Sequence, residues 1–379
     1  MYVGNEFLVN TIRASIQTSS LHAICFRDFM HNCLYHEQYG YYRIAKPKIG
    51  KEGDFYTSSS IGSIMGEMLA AYLIKEMKAL PAENCGVQLV EWGGGTGKLC
   101  LHILNEIANL EPHLYAQLEV VMIESSSYQR SLQEIQLASH ESKITWMDPK
   151  EWKQRQHSHI QFVIANELLD AFAVHRVRLS SSGYLECYVG WNEEIGEFTE
   201  VWLELTDADV WAYLAAEQLS LQVGQIIEVN LQAHEWIREV SETMTMGQLI
   251  VIDYGDITEQ LWTSSRRRGT LLCYRNHVAH DQFYSFCGEQ DITAHVNFSA
   301  CLRTAQASGF TDLSYKTQRQ FLVEQGILDR LQNHEDPNPF SEVAKKNRSI
   351  RQLLISDQMS ELFKVLVMKK DSVQKTESK

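Results

Sequence analysis

The stretch Gln88-Leu-Val-Glu91-Trp-Gly93-Gly94-Gly95-Thr-Gly97-Lys-Leu99 constrains this chain more than any other. Val87, Leu89 and Val90 lead into an acidic residue, and glycine then recurs at alternate positions, Gly93, Gly95 and Gly97. Beyond them Leu99, Leu101, Ile103, Leu104 and Ile107 include pairs at helical spacing. An apolar run, a glycine break and a helical period read as a buried strand, a tight turn and a helix start. Glycine suits such a turn because it takes unusual backbone angles and lets a ligand lie against the main chain. The helix start offers N–H groups without intrahelical partners to a polar ligand. A glycine turn that binds nothing is the alternative reading.

A dinucleotide-binding turn is written G-x-G-x-x-G, with an acidic residue roughly 20 positions on. Here the third glycine comes one position early, and Lys98 stands where the dinucleotide glycine belongs. The pattern is Glu-x-Gly-x-Gly-x-Gly, which resembles the first motif of class I S-adenosylmethionine (SAM) methyltransferases. That ligand carries an amine and a carboxylate but no pyrophosphate. An acidic strand-end residue such as Glu91 is useful beside an amine and unfavourable beside a diphosphate.

Further apolar segments follow in alternation with helical ones. Strands are expected at 118–123, ending at Glu124, and at 143–146, followed by Asp148. Others are expected at 160–165, running into Asn166-Glu167-Leu-Leu-Asp170, and at 248–252, ending at Asp253-Tyr-Gly255. This alternation predicts an α/β fold with a mostly parallel, Rossmann-like sheet wrapped by helices. Ligands then bind beyond the carboxyl ends of the strands. Glu91, Glu124, Asp148, Glu167 and Asp253 all fall at or just past such ends, which points to one functional rim. A carboxylate at Glu124 can accept both hydroxyls of a ribose, a role it would also fill in a dinucleotide enzyme. Asp148 can reach an adenine amino group, or can serve as a turn residue before Pro149.

The chain divides into a helical N-terminal segment (1–80), a Rossmann-like core (81–173 and 246–325), an inserted α+β subdomain (174–245) and a C-terminal segment (326–379). Phe26, Phe29, Met30, Cys33 and Leu34 carry the helical period of the first part, and a helix is expected over about 61–80. The insertion reads as three antiparallel strands near 174–179, 184–191 and 198–205, followed by helices near 207–220 and 231–244. Its position after the fourth core strand suggests substrate recognition, with structural elaboration as the alternative. The last ten residues are polar and expected to be disordered.

Composition narrows the partners. A net charge of −14 argues against broad nucleic-acid binding and is compatible with a basic protein substrate. No run reaches the ~18 apolar residues of a membrane helix, and Met1 to Ser20 reads neither as a secretory signal nor as a good transit peptide. The eight cysteines form no C-x-x-C pair and no Cys/His cluster with zinc spacing. Reduced, buried cysteines in a cytoplasmic protein without a metal are therefore expected. Oligomeric state stays open.

A longer series of motifs carries a more specific resemblance. It comprises Tyr39-Gly-Tyr-Tyr42, Gly53-Asp-Phe-Tyr-Thr57, Glu91-Trp-Gly-Gly-Gly-Thr-Gly97, Asn166-Glu-Leu-Leu-Asp-Ala171, Asp253-Tyr-Gly255, Gly269-Thr-Leu-Leu-Cys-Tyr-Arg275 and Asp291-Ile-Thr-Ala-His-Val296. The series resembles the MidA-like (DUF185) class I SAM-dependent methyltransferases, which include the mitochondrial complex I assembly factor that methylates arginine. The resemblance implies a class I SAM fold and SAM as the cofactor. It implies that Glu91, Gly93, Gly95, Gly97, Glu124, Asp148, Asp54 and Thr57 contact that cofactor. Trp92 and Gly94 replace the family's His and Pro, Ala173 replaces a Pro, and Asn297 replaces an Asp. None of these removes a glycine or a rim carboxylate.

Asn166-Glu167 differs from the Asn-Pro-Pro-Tyr motif of methyltransferases that act on neutral amines. A carboxylate suits a cationic nucleophile such as guanidinium. Glu167, Asp170 and Asn166 are therefore the candidate catalytic residues; the alternative is that Glu167 and Asp170 cap a following helix, a reading as strong as the catalytic one for Asp170. Three functions remain in view: a protein-arginine methyltransferase, a SAM methyltransferase acting on a small molecule or another side chain, and a non-catalytic assembly protein that keeps the fold.

Overall fold

The structure, a computed structural model, describes residues 2–48, 54, 62–80, 86–155, 159–333, 338–355 and 360–371. Thr57, Cys85 and most of the Gly53–Thr57 motif lie outside the described residues. The chain forms two compact units. A sheet unit comprises Tyr56–Leu168, Ile237–Tyr254 and Leu302–Lys379. An accessory unit comprises Met1–Phe55, Leu169–Trp236 and Gly255–Cys301. Among the described residues, no helix is long and apolar enough to cross a membrane.

The sheet unit is built on strands in the order Asp312–Thr317, Phe363–Lys370, Gly247–Asp256, Ile160–Asn166, Val87–Trp92, Glu119–Ile123 and Ile144–Met147. From Gly247–Asp256 to Ile144–Met147 neighbouring strands pair in parallel. The other two strands pair antiparallel. Parallel strands buried on both faces are apolar runs, and Ile160 to Ala165 is buried throughout. The helices Ile64–Lys78 and Lys98–Leu110 contribute Met65, Met68, Leu69 and Leu73, and Leu99, Ile103, Leu104 and Ile107, to one core with Leu89, Val120 and Phe162.

The C-terminal segment contributes more than sequence reading assigns to it. Phe363–Lys370 lies inside the sheet between two other strands, and Glu342–Ile355 is a helix. Ile350 and Leu353 of that helix join the sheet unit's core.

In the accessory unit, the expected meander is present as His175–Ser180, Gly183–Asn192 and Glu197–Glu204. Ile226–Val229 and a two-residue strand, Ile24–Cys25, join it to form a five-stranded antiparallel sheet. Val189, Cys187 and Phe198 pack with Leu8, Ile12, Phe26, Phe29 and Leu34 from the N-terminal helices Glu6–Thr18 and Phe26–Tyr35. Val177, Ile227 and Val229 pack in a second cluster with Val210, Leu214 and Leu261. Asn5 caps the first helix by accepting the N–H groups of Phe7 and Leu8.

Asp291–Thr293 is a strand in a separate three-stranded sheet, and a helix begins at Phe298. No helix follows Asn166-Glu167, so Glu167 and Asp170 cap none. The chain leaves the strand through Glu167 at φ 53, which is incompatible with continuing a helix, and passes a turn in which Phe172 N–H donates to Leu169 C=O at 3.3 Å.

Candidate active site

The strand register brings the chain exits to one level. Trp92 pairs with Ile123 and Ala165, and Ile123 with Met147. Asn166 pairs with Ile252. The residues that follow (Gly93, Glu124, Asp148, Asn166-Glu167 and Asp253) therefore line one rim of the sheet unit, at the carboxyl ends of its parallel strands.

Gly93, Gly95 and Gly97 have φ of 67°, 52° and 81°, the left-handed region where a side chain is costly. Gly93 N–H donates to Ile123 C=O at 2.9 Å, and Gly97 N–H to Gly94 C=O at 2.8 Å, which closes the turn. Gly97 is the N-cap of Lys98–Leu110. Beneath this turn Glu91 is only 3% exposed. Burial pushes its carboxyl up to about 7, the Cys100 N–H works against that shift, and the Glu124 charge adds to it. Its Oε2 is buried and has no hydrogen-bond partner among the described residues. A Cβ on Gly94 would stand 2.9 Å from both Oε2 and Cδ of Glu91 and 2.7 Å from Met122 Cε. A buried acceptor lacking a donor, under a turn that tolerates no side chain, fits an amine-bearing ligand laid against the backbone.

Glu124 follows the second strand, its N–H bonded to Met147 C=O at 3.0 Å. Its carboxylate accepts Ser126 N–H at 2.8 Å and Gln133 Nε2–H at 3.1 Å. Gln133 is fully buried; its Nε2 also donates to Gly95 C=O at 3.0 Å, and its Oε1 accepts Trp146 Nε1–H at 3.1 Å. One amide thus fixes the glycine turn to the Glu124 carboxylate and the third strand. Sequence reading misses it because a glutamine on a helix, here Ser127–Gln136, reads as a surface residue. Asp148 is exposed and caps Pro149–Gln154, accepting Glu151 N–H at 2.9 Å. Its side chain therefore has a local structural role at the rim.

Beside the fourth strand, Glu167 N–H donates to Ile252 C=O at 2.8 Å. Asp253 is fully buried and accepts Leu168 N–H at 3.2 Å and Tyr254 N–H at 2.8 Å, so it anchors the turn that presents Glu167. Asn166 Nδ2–H donates to Glu167 Oε1 at 3.2 Å. Asn166 Oδ1 is buried without a partner among the described residues. A glutamate held at positive φ at a strand end is backbone strain of the kind that clusters at functional sites.

Asp54 and Asp170 belong to the accessory unit. Asp54 is 1% exposed and accepts Tyr41 Oη–H at 2.9 Å and Asn276 N–H at 2.8 Å, with Lys46 Nζ at 3.5 Å. Asp170 is buried, and its C=O accepts Ala294 N–H at 2.9 Å. In the same unit burial and the Asp170 charge push Asp291 up to about 7, while Tyr42 Oη–H bonds it at 2.8 Å. In the sheet unit the rim thus collects Glu91, the three glycines, Glu124, Asp148, Asn166 and Glu167; in the accessory unit Asp54 and Asp170 belong to an acidic and tyrosine-containing network with Asp291, Tyr41 and Tyr42.

Residues 68–316 match the model of a family described as "Putative S-adenosyl-L-methionine-dependent methyltransferase". The human mitochondrial protein arginine methyltransferase NDUFAF7 is 26% identical over 353 residues, covering 86% of this chain and 77% of that protein. The Drosophila melanogaster homologue is 24% identical over 326 residues, covering 81% and 71%. A crystal structure from Burkholderia thailandensis, bound to S-adenosyl-homocysteine, superposes with a TM-score of 0.85 and 28% identity over 96% of this chain and 92% of that one. The α/β class I fold, the MidA-like resemblance and SAM as the cofactor all stand on these matches. With well over half of its length matched, this chain belongs to that family of SAM-dependent methyltransferases.

Proposed function

We propose that the chain methylates a guanidinium nitrogen of arginine in a protein substrate. The curated relatives named above are protein arginine methyltransferases. The observation that carries the reading here is the pair at the end of the fourth strand: Glu167, held at φ 53, and the partnerless buried Oδ1 of Asn166 beside it.

When bound, SAM supplies an electrophilic sulfonium methyl. Glu91 would take its ammonium, Glu124 its ribose hydroxyls, and the glycine turn its close approach to the main chain. Arginine arrives as a cation, since its pKa lies above ~12. Its nitrogen lone pairs are delocalised and weakly nucleophilic. Glu167 and Asn166 Oδ1 would accept N–H bonds from it, hold the planar group in place and draw positive charge from the attacking nitrogen. The new N–CH3 bond forms as the S–CH3 bond breaks, its electron pair leaving on sulfur as S-adenosyl-homocysteine, and the one N–H proton lost from the methylated nitrogen would pass to Glu167. Positioning and electrostatics, rather than covalent chemistry, supply the acceleration.

The test is single-turnover transfer to an arginine-containing protein at saturating SAM. Glu167→Gln keeps fold and SAM binding. Truncating one partner of a buried ion pair costs ~3–5 kcal/mol, so the rate falls by roughly two to four decades. A variant within threefold of wild type would point to a neutral nucleophile and a different acceptor.

A further inference from the structure

Cys25, His175 and Glu186 are far apart in sequence but meet in the accessory unit's antiparallel sheet. Cys25 pairs with Tyr188, two residues beyond Glu186 on the strand Gly183–Asn192. Glu186 itself pairs with Val177, two residues beyond His175. Side chains alternate along a strand and directly paired residues share a face, so the register places all three on one face. Their donor atoms converge. Cys25 Sγ lies 3.6 Å from His175 Nδ1 and 3.0 Å from Glu186 Oε1, and His175 Nδ1 lies 2.7 Å from the same oxygen. His175 and Glu186 are 5% and 2% exposed, and Cys25 is half-buried.

We infer that Cys25, His175 and Glu186 form a binding site for a thiophilic divalent cation of the zinc type, with water as the fourth ligand. Thiolate, imidazole and carboxylate are the three donor classes that zinc takes from proteins, and three protein ligands leave one position of a tetrahedron open. With metal–donor bonds of roughly 2.0–2.3 Å, tetrahedral donors stand roughly 3.4–3.6 Å apart. The Sγ–Nδ1 span already meets that value. Glu186 Oε1 needs to withdraw by less than about 1 Å, a side-chain rotation. The ligands come from three paired strands rather than a loop, so the site is held by the sheet. On binding, the thiol proton passes to solvent and sulfur takes the metal. The imidazole ligates through Nδ1 with its proton on Nε2, and no electrons are exchanged. Zinc spacing along the sequence cannot reveal such a site, because Cys25 and His175 are 150 positions apart.

The full chain, purified with a chelator and then freed of it, is titrated with Co2+ and read by absorption, with Zn2+ as competitor. One equivalent should give a thiolate-to-cobalt charge-transfer band and the visible bands of a tetrahedral ion, and Zn2+ should remove both. Cys25→Ser should abolish the charge-transfer band, and Glu186→Gln should weaken Zn2+ binding at least tenfold. Cys287→Ser, at a buried thiol elsewhere in the unit, should leave the spectrum unchanged. Saturating Zn2+ should raise the melting temperature of wild type and not of Cys25→Ser. If Cys25→Ser does not fold, Cys25→Ala provides the same reading. Wild type without a charge-transfer band at micromolar Co2+, or a band that survives in Cys25→Ser, overturns the assignment.

Discussion

We propose that Glu91 links the protein's pH response to its ligand. Burial raises its carboxyl from the ordinary value of 4.5 to about 7. Between those values the native state holds a proton that the unfolded chain has lost. Stability without ligand therefore falls as pH rises through that window, by about 3 kcal/mol in total for this residue. Glu91→Gln should remove that slope and leave the unliganded protein more stable than wild type above pH 7, which chemical denaturation at several pH values would measure. A ligand ammonium requires the ionised carboxylate. SAM affinity of wild type should therefore rise with pH toward about 7 and level off above it. The Gln variant should bind more weakly, with little pH dependence. Calorimetry showing wild-type affinity that strengthens as pH falls would move the amine away from Glu91. Gln133 tests the second proposed cofactor contact, Glu124. Gln133→Leu removes the bonds to Glu124 and Gly95, and should weaken S-adenosyl-homocysteine binding by roughly 1–3 kcal/mol, the cost of a broken buried hydrogen-bond network. Unchanged affinity would make Gln133 a packing residue only.

At the scale of elements, the parallel strands were legible because each is an apolar run that ends in a chemically distinct residue. Glycine at alternate positions then separated a SAM turn from a dinucleotide turn. What was not legible depended on distant partners. Phe363-Lys-Val-Leu-Val-Met-Lys-Lys370 is apolar, but only its pairing with Gly247–Tyr254 and Asp312–Thr317 shows that it is interior to the sheet. The capping alternative for Glu167 and Asp170 could not be settled from the residues alone, because it depends on the chain turning at Glu167, φ 53, rather than entering a helix. Gln133 escaped because a polar side chain at a buried helix position has no sequence signature. Removing the last strand tests its place directly. A chain ending at Ser360 would leave two strand edges unpaired and lose Val365 and Val367 from the core. It should be insoluble or lack a cooperative unfolding transition. A soluble truncated chain with a wild-type melting temperature would contradict the sheet order.

On the scale of the whole molecule, cofactor binding and substrate choice are assigned to different stretches of chain. The proposed cofactor contacts at the rim lie in the sheet unit, whereas the inserted strands 175–204 lie in the accessory unit. We assign those strands to the protein substrate because they follow the fourth core strand directly. Surface substitutions in them should raise KM for the methyl acceptor and leave S-adenosyl-homocysteine affinity unchanged; parallel losses of both would indicate a structural role. The acceptor itself decides the account. Purified chain is incubated with methyl-labelled SAM and an extract of cells lacking it, the protein fraction is hydrolysed, and the labelled amino acids are identified. The account predicts label in methylated arginine, dependent on Glu167. Label confined to small molecules or to another side chain would contradict it.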